Sequence, residues 1–424
     1  MKSTAAVCVL AAGLAGTMFA AEGPVPKGIP DLDHVFFIMM ENHGYVQIVG
    51  NPDAPFANQY MKSANAATNY FAIGHPSSTN YLEVVGGSNF GVRSDNPPDW
   101  HNHNCSPNLS LATVTTDFPS SPPVCPIAGT GTDAETPAID LTNECPDPTH
   151  TDPCPPGLID IDGTISIPAA ANTIGKTIVD QLAEHNKSWK SYQESLPPTG
   201  ADNVNFSDGF FTNNSNIPGA IAGETQTLID LYAAKHNPFV YFRSVQEGEN
   251  PGATLSNVVG FEGKGGLFED LEKGHVPAFS FIVPNQCNDQ HGRSNAGPQC
   301  DFDPNDNGTQ AGLNPALIYL GDLALRNIVR AIHASEAWKH GRSAIVVTWD
   351  ENDYSFVPNV NKVLTIVDTN YGSQGRTSNR FYTHFSLLRT IEGAFDLPCL
   401  NHACDANASV MSDLFGGDDD HHHR

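Results

Sequence analysis

The stretch Val35-Phe-Phe-Ile-Met-Met-Glu-Asn42 decides the fold. Its apolar residues run without interruption from Val35 to Met40 and end abruptly at Glu41 and Asn42. A run of this length and composition predicts a strand that is buried on both faces, as in a parallel sheet. In open α/β sheets, ligands bind at the carboxyl ends of the strands. We therefore expect Glu41 and Asn42 to lie at a ligand site.

The same pattern occurs twice more along the chain. The apolar run 278–283 leads into Pro-Asn-Gln-Cys-Asn-Asp-Gln-His at 284–291, and the run 344–349 leads into Asp-Glu-Asn-Asp at 350–353. Helical segments alternate with these runs, which predicts right-handed crossovers and a mostly parallel central sheet flanked by helices. Polar residues after all three strands predict one shared metal or phosphate site at one edge of an α/β domain.

Composition limits the classes of partner. The chain has 424 residues, of which 39% are hydrophobic, so it can bury a sizeable core. Its 47 acidic and 21 basic residues give a formal charge of −26. This charge argues against non-specific binding to nucleic acids and against adhesion to anionic lipid.

Two features indicate export to the periplasm or the medium. Residues 1–21 resemble a signal peptide, and no later segment approaches the roughly 18 consecutive apolar residues of a membrane span. Eight cysteines follow the signal peptide, and an even number in an exported chain indicates disulfides. We expect local pairs between Cys399 and Cys404 and between Cys287 and Cys300, with the other four pairing among themselves.

The remaining chain predicts one domain over residues 22–415. From about 95 to 169, Pro, Asp, Thr and Cys dominate, which indicates a disulfide-linked insertion that is either a wall of the site or a surface feature. Residues 51–67 predict a helix and a loop, 225–235 a helix, and 238–242 a strand. The polar end, 416–424, is expected to be disordered.

The polar residues after the strands are suited to the hydrolysis of phosphate esters. Glu41, Asn42, Asp350 and Glu351 supply hard oxygen ligands for a metal ion. Ser77 lies at the predicted N-terminus of a helix that Gly86 and Gly87 end, where the backbone N–H groups and the helix dipole favour an oxyanion.

Three further side chains are candidates for contact with the phosphate or the leaving group. His291, His384 and Asp289 could bind the phosphate or protonate the leaving group, and Asp289 could orient the ring of His291. His75 stands just before the predicted helix and either binds substrate or packs beside the site.

Six motifs occur in this order along the chain: ENHG at 41–44, HPSSTNYLEVVGG at 75–87, SWKSYQESLP at 188–197, PNQCNDQHG at 284–292, TWDEND at 348–353 and THFSLLRTIE at 383–392. Together they resemble the phosphoesterase family of bacterial acid phosphatases and phospholipases C, within the alkaline phosphatase superfamily. The resemblance spans nearly the whole mature chain. It implies an alkaline-phosphatase-like α/β core.

The resemblance also implies a divalent cation that Glu41, Asn42, Asp350 and Glu351 hold together with the nucleophile. Counting back from Gly87, as in superfamily members, gives Ser77 as the nucleophile, with Ser78 and Thr79 as alternatives and Ser191 as a more distant one. The histidine set of a two-zinc enzyme is incomplete, so we expect one tightly held metal ion and a cationic or histidine-based second half. His75, Asp289, His291 and His384 are the expected substrate contacts.

By this resemblance, the chain is expected to be an exported, metal-dependent hydrolase of phosphate monoesters that forms a serine phosphoenzyme. A phospholipase C that cleaves phosphodiesters is the alternative enzyme. A protein that keeps the fold but only binds a phosphorylated ligand or a cell surface is the alternative from another class. The expected partner is a small phosphorylated substrate or a phospholipid headgroup, without nucleic acid.

Overall fold

The computed structural model describes most of the chain from Glu22 onward. The described residues are 22–92, 94–105, 123–133, 158–160, 166–168, 170, 172–206, 229–305, 307–352 and 361–416. The predicted signal peptide, the predicted tail after Gly416, and Cys145 and Cys154 lie outside these residues. Much of the predicted insertion also lies outside them.

Thirteen strands occur in the described residues, and most belong to one sheet. They are β1 His34–Met40, β2 Asn65–Phe71, β3 Thr130–Gly131, β4 Leu158–Asp160, β5 Ser166–Pro168, β6 Thr173–Ile174, β7 Trp189–Gln193, β8 Val258–Val259, β9 Phe279–Val283, β10 Ser343–Trp349, β11 Lys362–Thr369, β12 Thr377–Ser378 and β13 Tyr382–Thr383. The central sheet has nine strands in the order β12-β2-β11-β10-β1-β9-β7-β8, with β13 paired to β2. Within this sheet, only β11 runs antiparallel to its neighbours, which confirms the predicted mostly parallel sheet.

Helices pack around this sheet in two groups. The α-helices are α1 Tyr45–Ile48, α2 Pro55–Ser63, α3 Ser77–Gly86, α4 Ile178–Glu184, α5 Arg243–Glu247, α6 Leu267–Lys273, α7 Pro315–Ala334, α8 Glu336–Lys339, α9 His384–Ala394 and α10 Ser412–Phe415. Helix α7 packs with α2, α6 and α8, whereas α3 packs with α4 and α9. No helix in the described ranges is long and apolar enough to cross a membrane.

The three predicted core strands lie side by side. β1 pairs in parallel with β10, where Met40 is opposite Trp349, and with β9, where Ile38 is opposite Ile282. All residues of β9 and β10 are buried, and so is β1 after its first residue, because helices cover both faces of the sheet. Their carboxyl ends therefore meet at one edge of the sheet, which brings Glu41 next to Asp350.

Three local predictions were wrong. The segment 51–67 contains helix α2 but also the start of strand β2. The helix expected over 225–235 is absent in its described part, 229–235, where only a 3-10 turn begins at Ala234. The strand expected over 238–242 is a second 3-10 turn, Pro238–Tyr241. An apolar run of this length does not distinguish a buried strand from another buried segment.

The disulfides follow the predicted local pairing. Cys287 is bonded to Cys300 and Cys399 to Cys404, as expected. Cys105 is bonded to Cys125, which gives one of the pairs expected within the insertion.

A buried histidine links the insertion to the C-terminal part of the chain. His402 Nε2 lies 2.6 Å from Asp133 Oδ2, and His402 Nδ1 lies 2.6 Å from Asp405 Oδ2. Asp133 also accepts hydrogen bonds from the hydroxyl of Ser88 and from the N–H of Ala170. Burial alone would lower the pKa of His402, but the two carboxylates outweigh it and raise the pKa to about 10. The ring is therefore charged at neutral pH.

This pKa predicts a loss of stability at alkaline pH. Because the folded pKa is above the unfolded value, the contribution of His402 is complete below about pH 6.5 and disappears as the pH rises towards 10. We expect the stability advantage of the wild type over His402→Gln to shrink by about 2–4 kcal/mol between pH 6 and pH 10. Denaturant unfolding of both proteins at pH 6 and pH 10 measures this difference in the free energy of unfolding.

The control is His340→Gln, since the side chain of His340 is 78% exposed. The difference in the free energy of unfolding between His340→Gln and the wild type should stay nearly constant from pH 6 to pH 10. An advantage of the wild type over His402→Gln that is equal at both pH values would contradict a charged, stabilising His402.

Candidate active site

The hydroxyl of Ser77 lies between two carboxylates from different strands. Helix α3 begins at Ser77, and Ser77 Oγ donates towards Glu41 Oε2 at 3.2 Å and towards Glu351 Oε1 at 3.1 Å. All three residues are buried. A serine at the start of a helix, facing two acids that could accept its proton or bind a cation, has the geometry of an activated nucleophile.

The alternative nucleophiles have other surroundings. The backbone N–H of Ser78 donates to Asp95, and the hydroxyl of Ser78 has no hydrogen-bond partner in the described part of the chain. The hydroxyl of Thr79 donates to the carbonyl of Pro76, and that of Ser191 accepts from Gln193 within strand β7. Of these four candidate nucleophiles, only Ser77 directs its hydroxyl at the carboxylates that follow β1 and β10.

Asn42 and Asp350 meet as the register of the sheet requires. Asn42 has a left-handed backbone with φ of 65°, a conformation that Asn tolerates better than most residues. Its N–H donates to Asp350 Oδ1 at 2.8 Å. The other oxygen of Asp350 is buried and makes no hydrogen bond to the described residues. A buried carboxylate oxygen without a donor is suited to a cation.

Glu351 is held by His75, which precedes helix α3, and by Asn80, within that helix. Its Oε2 lies 2.9 Å from His75 Nδ1 and accepts a hydrogen bond from Asn80 Nδ2 at 2.9 Å. Its Oε1 remains directed at Ser77. His75 therefore contacts an expected metal ligand, and its predicted contact with substrate stays a prediction.

The structure adds a histidine that the sequence analysis missed. His236 Nε2 lies 2.9 Å from Glu41 Oε1, and His236 Nδ1 lies 3.2 Å from Asp289 Oδ2. The ring of Tyr81, on helix α3, stacks on that of His236 with 5.3 Å between centroids. Position 236 follows no apolar strand, so the pattern that pointed to Glu41 and Asp350 could not find it.

His291 occupies the same side of the site, and its ring nitrogens have defined roles. Its Nδ1–H donates to the carbonyl of Gly292 at 2.9 Å, so its Nε2 accepts a hydrogen bond from Lys235 Nζ at 3.0 Å. Asp289 Oδ1 accepts from the backbone N–H of His291, rather than orienting its ring as predicted. Lys235 also donates to Asp95 Oδ2 at 2.8 Å. Neither Lys235 nor Asp95 was a predicted site residue.

His384 lies behind the carboxylates. Its Nε2–H donates to the backbone carbonyl of Asp350 at 2.7 Å, and its Nδ1 accepts from the hydroxyl of Tyr70 at 2.9 Å. Burial lowers its pKa to about 4, so the ring is neutral at ordinary pH. With both nitrogens engaged, His384 holds the backbone of Asp350 in place. The roles predicted for it in catalysis and in substrate binding stay predictions.

The site concentrates negative charge away from water. Burial raises the pKa of Glu41 to about 7, although Lys235 opposes the rise. Burial, followed by repulsion from Glu41, raises the pKa of Asp289 and of Asp350 well above the usual range, and burial and Asp350 do the same for Glu351. Acids crowded in this way are stable as anions only with more positive charge than Lys235 brings.

The two histidines remain neutral. Burial, followed by the charge of Lys235, lowers the pKa of both His236 and His291 well below the usual value. Burial alone would lower the pKa of Lys235, but Asp95 and Glu41 together raise it, so the ammonium stays charged. Neutral imidazoles are competent metal ligands.

Two donor sets that share Glu41 fit a cation. One is the oxygen set of Glu41, Asp350 and Glu351, with Asn42 beside it. In the other, ligand atoms of Glu41, His236 and His291 lie within 4.8 Å of one another, and an ion there would have to displace Lys235 Nζ from His291 Nε2. Glu41 Oε1 faces His236 Nε2, and neither atom makes a hydrogen bond to the described residues, so both suit an ion. These donors support a metal site, and the predicted oxygen set is one of its two candidate forms.

Comparisons with known proteins agree with the sequence motifs. The chain matches the Phosphoesterase family over residues 50–299 and 307–398. It is 24% identical to the phosphatidylinositol-3-phosphatase of Mycobacterium tuberculosis over 98% of this chain and 94% of that protein.

Two fungal acid phosphatases are also similar to the chain. The chain is 24% identical to a probable acid phosphatase of Kluyveromyces lactis, over 88% of this chain and 60% of that protein. It is also 24% identical to an acid phosphatase of Aspergillus fumigatus, over 80% of this chain and 50% of that protein. The chain thus spans only half to 60% of these fungal proteins.

Among solved structures, the chain resembles a protein in the alkaline phosphatase superfamily from Vibrio parahaemolyticus. The TM-score is 0.46 and the sequence identity 14%, over 94% of this chain and 74% of that one. The family match covers well over half of the residues. The chain belongs to the phosphoesterase family.

Proposed function

We propose that this protein hydrolyses phosphate monoesters through a covalent intermediate on Ser77. The observation that carries the proposal is the Ser77 hydroxyl, held 3.2 Å from Glu41 Oε2 and 3.1 Å from Glu351 Oε1 at the start of helix α3. The relatives named as phosphatases support the same class of reaction. A divalent cation held by Glu41, Asn42, Asp350 and Glu351 would lower the pKa of the Ser77 hydroxyl and offset charge on the phosphoryl oxygens.

The residues of the chain account for the steps of the reaction. Ser77 Oγ attacks phosphorus and gives its proton to the carboxylate pair, while the ester P–O bond breaks and the alkoxide leaves and is protonated by solvent. The dipole of helix α3 stabilises negative charge at its N-terminus. Water then attacks the phosphoserine, and the serine–phosphate bond breaks to release phosphate and restore the hydroxyl.

Lys235 is the proposed contact for phosphoryl oxygens on the other side of the site. Its Nζ lies between Asp95 and His291, and its side chain is 15% exposed. Asp95 also accepts the N–H of Ser78, so one carboxylate ties the lysine to the first turn of the helix that carries Ser77. Lys235 is thus the cationic part of the second half that the sequence analysis expected.

The proposal extends to location and organisation. Three disulfides among the described residues support a periplasmic or secreted protein. A single domain over 22–415 that carries an insertion remains our proposal for the arrangement of the chain.

Replacing the nucleophile tests the reaction. Ser77→Ala removes the hydroxyl that lies between Glu41 and Glu351, so kcat/KM for 4-nitrophenyl phosphate should fall by about a thousandfold or more. Ser78→Ala is the matched control and should stay within about threefold of the wild type. Initial rates of nitrophenol release measure both.

Three results would contradict this proposal in different ways. An equal loss of kcat/KM in Ser78→Ala and Ser77→Ala would contradict the assignment of Ser77 as the nucleophile. Faster turnover of 4-nitrophenylphosphorylcholine than of the monoester would favour a phospholipase C. Phosphate binding without turnover of either ester, with metal present, would favour a binding protein.

Metal content distinguishes the two donor sets. Asp350→Asn removes one negative charge with little change of shape, and we expect bound divalent metal to fall from about one per chain to a small fraction, with at least a 100-fold loss of activity. His236→Gln should retain most of the metal if the oxygen set holds it. Mass spectrometry of the purified proteins measures the content. Loss of metal in His236→Gln but not in Asp350→Asn would assign the ion to Glu41, His236 and His291.

Removing the lysine tests the proposed phosphate contact. Lys235→Met deletes a charge-assisted hydrogen bond worth roughly 1.5–3 kcal/mol, so kcat/KM should fall by about 10–150-fold and inhibition by inorganic phosphate should weaken. Lys235→Arg keeps the charge and should recover part of the loss. The control is Lys62→Met on the exposed surface of α2, which should have no effect. Unchanged phosphate inhibition in Lys235→Met would remove this residue from the site.

A further inference from the structure

A line of aromatic rings leads from the interior of the candidate site to the surface. Tyr81 and His236 have ring centroids 5.3 Å apart, His236 and His291 are also 5.3 Å apart, and His291 and Phe302 are 5.9 Å apart. Tyr81 is fully buried, whereas Phe302 is 48% exposed. The line therefore ends in a half-exposed phenyl ring against the partly exposed His291, at the outer edge of the site.

Two features restrain the backbone near Phe302. The disulfide between Cys287 and Cys300 closes the loop that carries His291. Gly292 has a φ of 91°, and a Cβ there would come within 3.1–3.2 Å of Phe302, so the two backbones approach closely because position 292 has no side chain. The ring of Phe302 therefore lies beside His291 with about half of its surface exposed, where a ligand in the site could contact it.

The orientation of Ser77 places the leaving group on the same side. Ser77 is directed at one oxygen of Glu41, and His236 lies against the other. His291 adjoins His236, and its Nε2 receives the hydrogen bond from Lys235. For a phosphate that contacts both Ser77 and Lys235, in-line displacement sends the leaving group away from Ser77, to the side where His236 and His291 lie. Phe302 is the exposed apolar surface next to them.

We propose that Phe302 determines specificity for the leaving group and favours phosphate esters of aromatic alcohols. This inference rests on the proposed function of the Ser77 site. An aromatic alcohol would place its ring against Phe302 while its phosphate reaches Ser77. Ring-on-ring contact that removes the exposed half of Phe302 from water corresponds to about a 5–30-fold gain in affinity over a small polar alcohol.

Phe302→Ala tests this with two substrates of the same reaction. We expect KM for 4-nitrophenyl phosphate to rise about 5–30-fold, with kcat within about threefold and KM for glycerol 2-phosphate within about twofold. Phe302→Leu keeps apolar area without the ring and should give a smaller rise. The control is Tyr319→Ala on α7, which is equally exposed at 47% and has no ring contact with His236 or His291 among the described residues.

A binding measurement separates this inference from the proposed reaction. Calorimetry with phenylphosphonate and with inorganic phosphate requires no turnover, and Phe302→Ala should weaken only the binding of phenylphosphonate. Loss of that selectivity supports the inference even if Ser77 proves not to be a nucleophile. Equal effects of Phe302→Ala on both ligands, or no effect on either, would overturn it. Thermal unfolding confirms that each variant is folded.

Discussion

The structure depends on placing several carboxylates together in a space from which water is excluded. Glu41, Asp289, Asp350 and Glu351 are all buried, and they follow the parallel strands β1, β9 and β10 at one edge of the sheet. A surface cluster of acids would be solvated at little cost, but a buried one needs compensating charge. The chain provides Lys235 nearby. Carboxylate oxygens of Glu41, Asp289 and Asp350 that accept no hydrogen bond from the described residues indicate where further positive charge would go.

The sequence predicted the half of the site that follows the strands. Uninterrupted apolar runs identify β1, β9 and β10, and parallel pairing then requires Glu41 and Asp350 to be neighbours although more than 300 residues separate them. Ser77 was predictable because small hydroxyl residues open a helix that two glycines end. These positions were predictable because each depends on a local signal, either an apolar run that forms a strand or residues that begin and end a helix.

The other half could not be predicted in this way. Lys235 and His236 lie in a 3-10 turn between segments with no clear period, and the expected helix and strand around them were both wrong. Their approach to Glu41 is a long-range contact, supported by pairing of the Ala234 backbone with Asn205. Asp95 was likewise hidden, because only the folded chain places it between Ser78 and Lys235. Single-sequence patterns do not encode such contacts.

The finished site is asymmetric, and Glu41 joins its halves. On one side of Glu41 are the hydroxyl of Ser77 and the oxygens of Asp350 and Glu351, and on the other are His236, His291 and Lys235. Oxygen donors of high charge suit a hard cation, whereas neutral imidazoles beside a charged lysine suit an anion or a departing alkoxide. A phosphate ester needs both kinds of contact at once, because its phosphoryl oxygens carry charge while its leaving oxygen acquires it. Glu41 contacts both groups, so its position couples the nucleophile to the residues that would receive the leaving group.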